Sequence, residues 1–267
     1  MKMSKQSLRS LDDLVYIMAQ LRGEPGCPWD KSQTHETLKP FLIEEAYEVI
    51  DAIDRKNEED LKEELGDLLL QVVFHSRLAE ERGSFEIGDV IETVCEKMIR
   101  RHPHIFGNIT VEGTDEVLKN WEEIKREEKD MKTESESMMQ LPKALPALMK
   151  AYKVQEKAAR IGFDWDDISG AFDKVYEELD ELKEAYATKN QEKIEEEFGD
   201  LLFACINVAR FLKVEPELAL DYAVKKFIKR FKFLEAEAAR SDKTLSDMNL
   251  QEMDALWEKS KNQEKKL

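Results

Sequence analysis

The chain repeats itself. Glu44-Glu45-Ala-Tyr-Glu48 returns as Glu177-Glu178-Leu-Asp-Glu181, 133 residues later, and Glu64-Leu-Gly-Asp67-Leu-Leu returns as Glu197-Phe-Gly-Asp200-Leu-Leu at the same offset. Two separate blocks in one register are hard to obtain by chance. The flanks follow with small length changes: Trp29 pairs with Trp165 and Trp121 with Trp257, both 136 apart, and Lys97-Met-Ile-Arg-Arg101 pairs with Lys226-Phe-Ile-Lys-Arg230, 129 apart. A tandem duplication of one domain is therefore the first constraint on the fold. The expected domains are 1–126 and 147–267, with a linker over 127–146 where a polar run without apolar period is punctuated by Leu141-Pro-Lys-Ala-Leu-Pro146.

Within the first half, Phe41, Ile43, Ala46, Tyr47, Val49 and Ile50 recur at helical spacing, and so do Leu61, Leu65, Leu68, Leu69, Val72 and Val73. No period-2 alternation competes with them. Glycine and proline together fill only 17 positions, so little breaks long helices. The fold class predicted is all-α, two tandem helical bundles of about four to five helices each. Pro40 is expected at a helix start, Asn57 and Asn190 in polar turns, and residues 102–117 as a loop.

Charge excludes some partners. With 41 Lys+Arg against 58 Asp+Glu, the net charge of −17 opposes a nucleic-acid polymer or an anionic membrane surface. Cys27, Cys95 and Cys205 are odd in number and never in a CxxC, so neither a disulfide framework nor a zinc ribbon is predicted. No apolar leader is visible, and the most apolar stretches, Leu68–Phe74 and Leu201–Ala209, are too short for a membrane and broken by Gln71 and Asn207. The expectation is a soluble protein of a reducing cytoplasm.

The acids carry the chemistry. Glu45 and Glu48 project from one helix face, as do Glu64 and Asp67 from the next. The midpoints of 48/64 and of 45/67 are both 56, in the polar turn Lys56-Asn57; those of 181/197 and 178/200 are both 189, in Thr188-Lys189-Asn190. Each pair of helices, folded as an antiparallel hairpin, brings four carboxylates face to face. Such a group repels itself unless a cation neutralises it, and all-oxygen ligation suits Mg²⁺, with Mn²⁺ as substitute. Gly66 and Gly199, between the acids, are expected to allow close approach of a helix or ligand. The repeated basic knot of Lys97, Arg100 and Arg101, and of Lys226, Lys229 and Arg230, is a candidate phosphate clamp. Trp121 and Trp257 are candidates to stack on a base.

Other carboxylate or nucleotide chemistries lack their signatures. None of His35, His75, His102 and His104 has Glu three residues before it, against a di-iron bundle, and His102-Pro-His104 reads as a capped loop. No Gly is followed by Lys, against a P-loop, and His35-Glu36 has Lys39 where a zincin needs His.

The acid blocks, with Cys27-Pro-Trp-Asp-Lys, Arg101-His-Pro-His-Ile-Phe and Leu141-Pro-Lys-Ala-Leu-Pro-Ala-Leu, resemble the MazG family of nucleoside triphosphate pyrophosphohydrolases over nearly the whole chain. The resemblance implies a helical-bundle fold, a Mg²⁺ site, a homodimer, and hydrolysis of NTPs to NMP and pyrophosphate. It makes Glu178, Glu181, Glu197 and Asp200 the metal and catalytic ligands, and Lys174, Lys193, Glu196, Lys226, Arg230 and Trp257 the nucleotide contacts. By the internal repeat, the first half offers Glu45, Glu48, Glu64 and Asp67 with Lys97, Arg101 and Trp121; it departs at position 41, where Phe41 stands in place of Lys174. A glutamate not fully used as a ligand, Glu44 or Glu177 or one of the quartet, is the candidate to orient the attacking water as base. Two other readings stay open here: a hydrolase for one modified or deoxy nucleotide, and a non-catalytic acidic helical module that docks a basic partner.

Overall fold

The computed structural model describes residues 10–264. They form two compact units, the first ending at Lys125 and the second beginning at Arg126. Helices and one 3₁₀ turn (Leu245–Asp247) account for all regular structure among the described residues. The first unit holds α1 (Leu11–Arg22), α2 (Pro28–Ser32), α3 (His35–Arg55), α4 (Glu58–Glu80), α5 (Ile87–Arg101), α6 (Pro103–Phe106) and the start of α7 (Thr114–Glu128). The second holds α8 (Glu134–Met139), α9 (Ala147–Arg160), α10 (Ile168–Thr188), α11 (Gln191–Phe211), α12 (Pro216–Ala239) and α13 (Leu250–Glu264).

Each unit is built around one antiparallel hairpin, α3 on α4 and α10 on α11. The turns lie where the carboxylate midpoints put them. Lys56 ends α3 in the left-handed region (φ 54°), and the Asn57 side chain then caps α4 by accepting from the Glu59 and Asp60 N–H groups. Lys189 (φ 57°) and Asn190, which accepts from Lys193 N–H at 3.3 Å, repeat the device. Helix α1 packs on α4, and its counterpart α9 packs on α11.

The cores differ. In the first unit Met18, Leu38, Val73, Phe74 and Leu78 are buried together, with Leu14, Phe41 and Leu70 packed against them; each large side chain so buried stabilises by ~1.5–3 kcal/mol. At the 133-residue register, Leu38 corresponds to Ala171 and Phe74 to Asn207. The second unit thus has small or polar side chains where the first has its largest apolar ones.

Several expectations need correction. Helix α3 starts at His35, because Thr34 and Thr37 form a capping box, and Pro40 lies inside it. Residues 103–106 are a helical turn with Pro103 in its first position rather than loop, and the linker contains α8, nucleated by the Thr133–Glu136 capping box. These short helices raise the number per unit above the four to five expected. A Cβ on Gly66 or Gly199 would meet nothing within 4 Å, so neither glycine serves close helix packing among the described residues.

Candidate active site

In each unit the hairpin gathers carboxylates. Glu45, Glu48 and Glu64 each place an oxygen within 4.8 Å of the others, and Glu178, Glu197 and Asp200 do the same. The remaining members of the expected quartets stand just outside. Partial burial, then the charges of Asp67, Glu48 and Glu64, push the Glu45 carboxyl above the ordinary glutamate range. Desolvation, then Glu178 and Glu197, do the same to Glu181.

The second cluster carries its own counter-charge. Lys174 Nζ lies 2.8 Å from Glu177 and 2.6 Å from Glu178. Hydrogen bonds to Glu177 and then Glu178 hold this ammonium far more tightly protonated than a free lysine. In the first unit the same position is Phe41, which packs into the core. Glu178 is only 5% exposed, and its Oε2 is buried without a hydrogen-bond partner. A buried carboxylate oxygen with nothing to bind is costly. An orphaned oxygen inside an all-oxygen cluster fits a hard divalent cation, which takes carboxylate oxygens in preference to nitrogen or sulfur.

A cavity of about 760 Å³ opens beside this second cluster, with Lys174, Glu178 and Asp200 in its lining. Phe163, Trp165, Gln155 and Asn207 line it as well. The volume falls within the ~300–1,000 Å³ of small-molecule sites. An ion pair between Arg210 and Asp164 ties the loop carrying Trp165 to α11. Gly170 makes room for the indole: a Cβ there would sit 2.7 Å from Trp165 Cε3. In the first unit the matching positions Phe41, Leu70 and Phe74 belong to the packed core.

A family model described as the MazG nucleotide pyrophosphohydrolase domain matches residues 33–106 and again 171–234, each match containing one hairpin. The chain belongs to the MazG family. It is 49% identical to the nucleoside triphosphate pyrophosphohydrolase/pyrophosphatase MazG of Thermotoga maritima over 250 residues, covering 94% of this chain and 95% of that one. It is 44% identical to the nucleoside triphosphate pyrophosphohydrolase of Escherichia coli K12 over 260 residues, covering 96% and 99% of the two chains. The uncharacterized protein YabN of Bacillus subtilis is 48% identical over 251 residues, 94% of this chain and 51% of that protein.

The other residues expected from the MazG resemblance are not all gathered at the cavity. Lys193 and Glu196 are exposed near the start of α11. Lys226 and Arg230 lie on α12 and Trp257 on α13, where the Arg230 guanidinium sits 5.6 Å from the Trp257 ring and Phe227 5.1 Å. None of these five borders the cavity. In the first unit, Lys97 and Arg101 lie on α5, and Trp121 on α7 stands 6.2 Å from His102 with its indole N–H buried and unpartnered. His102 itself contacts the Met98 carbonyl through Nδ1 at 2.6 Å, as befits a capping residue. Sequence reasoning missed Gln155, Phe163, Trp165 and Asn207 as cavity residues; the available signal was Asn207, a polar residue interrupting the apolar run Leu201–Ala209.

Proposed function

We infer that this protein hydrolyses nucleoside triphosphates to the monophosphate and pyrophosphate, with water attacking the α-phosphorus. The observation that carries the reading is the buried, unpartnered Glu178 Oε2 within a carboxylate cluster that opens directly onto a nucleoside-sized cavity. Family membership and the printed names of the relatives support it.

Each proposed domain, 1–126 and 147–267, carries one quartet. Glu178, Glu181, Glu197 and Asp200 are the proposed ligands of Mg²⁺, replaceable by Mn²⁺, with Glu45, Glu48, Glu64 and Asp67 as their first-domain counterparts. When bound, the divalent ion supplies neutralisation of the triphosphate and acidification of water. The chain's own groups do the rest. Lys174, on the cavity wall, exchanges its contacts with Glu177 and Glu178 for a phosphate oxygen. That exchange frees Glu177 to accept a proton from water. Lys193, Glu196, Lys226, Arg230 and Trp257, with Lys97, Arg101 and Trp121 in the first domain, remain proposed nucleotide contacts. Arg230 and Lys226 are suited to hold the departing pyrophosphate.

We also propose a homodimer. Leu65 and Leu69 on α4, and the matching Phe198 and Leu202 on α11, are 42–52% exposed. A repeated exposed apolar stripe on both carboxylate-bearing hairpins calls for a cover, and a second copy of the chain supplies one. No helix among the described residues is long and apolar enough to cross a membrane, in keeping with a cytoplasmic location.

The test is product analysis. Incubation with a panel of NTPs and dNTPs, with Mg²⁺ or with EDTA, is expected to give monophosphate and pyrophosphate only with the metal. Diphosphate and phosphate would place the attack at the wrong phosphorus. Strong preference for one deoxy or modified nucleotide would narrow the substrate without changing the reaction.

A further inference from the structure

The cavity lining carries two amides whose orientations are fixed by partners that cannot exchange roles. Gln155 Nε2 donates to the Phe203 carbonyl at 2.8 Å, and a carbonyl only accepts, so Oε1 must be the other end of that amide. Arg210 only donates, and it gives Nε–H at 3.0 Å and an Nη2–H at 2.8 Å to Asn207 Oδ1, so the uncommitted end of Asn207 is its Nδ2 donor. Gln155 is 7% exposed, and its Oε1 is buried without a partner. A native amide oxygen left in that state needs an explanation.

From this juxtaposition we propose that Gln155 and Asn207 read the hydrogen-bonding edge of the nucleobase, Asn207 Nδ2 donating to a ring or carbonyl acceptor and Gln155 Oε1 accepting a base N–H. The assignment rests on the reaction proposed above and deepens it. Gln155 borders the cavity, so a modest turn of its side chain about the Phe203 bond presents Oε1 to a ligand seated there. Phe163, 81% exposed, and Trp165, 46% exposed, supply the faces on which the base lies. The distribution of charge agrees. Lys174, Glu178 and Asp200 are the lining groups suited to phosphate and metal, while the other charged pair of the lining, Arg210 with Asp164, is already satisfied internally. A neutral aromatic ring with a mixed donor and acceptor edge matches the remaining lining. Gln155, Phe163 and Trp165 lie outside the segments matched by the family model, 33–106 and 171–234.

The proposal is tested by binding, apart from turnover. Affinities of AMP against purine riboside 5′-monophosphate, and of UMP against 3-methyluridine 5′-monophosphate, are measured on the full chain by calorimetry and by quenching of tryptophan emission, with ribose 5-phosphate as the base-free control. Within each pair only the natural nucleotide offers an N–H on the edge facing Gln155. The wild-type chain is expected to favour AMP or UMP over its partner by roughly tenfold, about the worth of one well-placed hydrogen bond. Gln155→Met is expected to bring that ratio near one. Asn207→Asp, which keeps the Arg210 contact but turns the donor into an acceptor, is expected to weaken the natural nucleotides and leave ribose 5-phosphate unchanged. Equal binding within both pairs by the wild-type chain, or a ratio that survives Gln155→Met, would overturn the assignment. The wild-type comparison stands even if a variant fails to fold. Absence of pyrophosphate release alongside intact discrimination would strike the proposed reaction and leave this subsite in place.

Discussion

The two carboxylate clusters sit on matching hairpins, α3–α4 and α10–α11, and differ in what surrounds them. In the first unit, Phe41, Leu70 and Phe74 pack together as part of an apolar core. In the second, Lys174, Phe203 and Asn207 occupy the same register and border a cavity of about 760 Å³. The electrostatics diverge accordingly. Glu178 has an ammonium at 2.6 Å, whereas partial burial and then the neighbouring acids push the Glu45 carboxyl upward. A duplicated scaffold can thus keep its backbone device, a capped turn centred between acid pairs, and change a site's capacity by exchanging a few side chains for larger or smaller ones.

The largest expected effect that sharpens this contrast is on stability. Phe74→Ala should destabilise the first unit by about 3–5 kcal/mol, as expected for a large aromatic deleted from a packed core. Asn207→Ala at the same register should cost less, about 1–2 kcal/mol, through loss of its hydrogen bonds from Arg210 rather than through loss of packing. Unit-resolved thermal unfolding by circular dichroism checks both; equal losses would mean the second site is packed like the first.

A smaller effect concerns pH. The raised Glu45 carboxyl means the folded chain binds that proton more tightly than the unfolded chain does. Its stability contribution is full below the ordinary glutamate value, about pH 4.3, and is lost as pH rises through the raised folded-state value. Glu45→Gln removes the titration, so the metal-free variant should melt higher than the wild type near neutral pH, by roughly 1–2 °C after solvent screening. The difference should vanish at pH 4. A difference that persists there would point to packing rather than charge.

Much of this was legible before any coordinates. The equal offsets of the acid blocks and their shared midpoints at 56 and 189 gave the hairpin, because helix periodicity and turn position are local properties of the chain. Helix ends were less legible: the Thr34 and Thr133 capping boxes outweighed Pro40 and the polar linker composition. The cavity was not legible. It depends on side-chain volumes meeting from α9, α10 and α11, a sum over residues far apart in sequence, and Asn207 alone reads only as a polar break. The proposed nucleotide contacts on α12 and α13 rest on family resemblance, and the described geometry places Arg230 and Trp257 against each other, outside the cavity lining.

The most direct measurement is pyrophosphate release from the best NTP substrate by Asp67→Ala and by Asp200→Ala, compared with the wild-type chain at saturating Mg²⁺. If the open, lysine-bearing second site does the work, Asp200→Ala should lower turnover by about a thousandfold or more, while Asp67→Ala stays within about twofold of wild type. A loss on Asp67→Ala as large as that on Asp200→Ala would contradict the account.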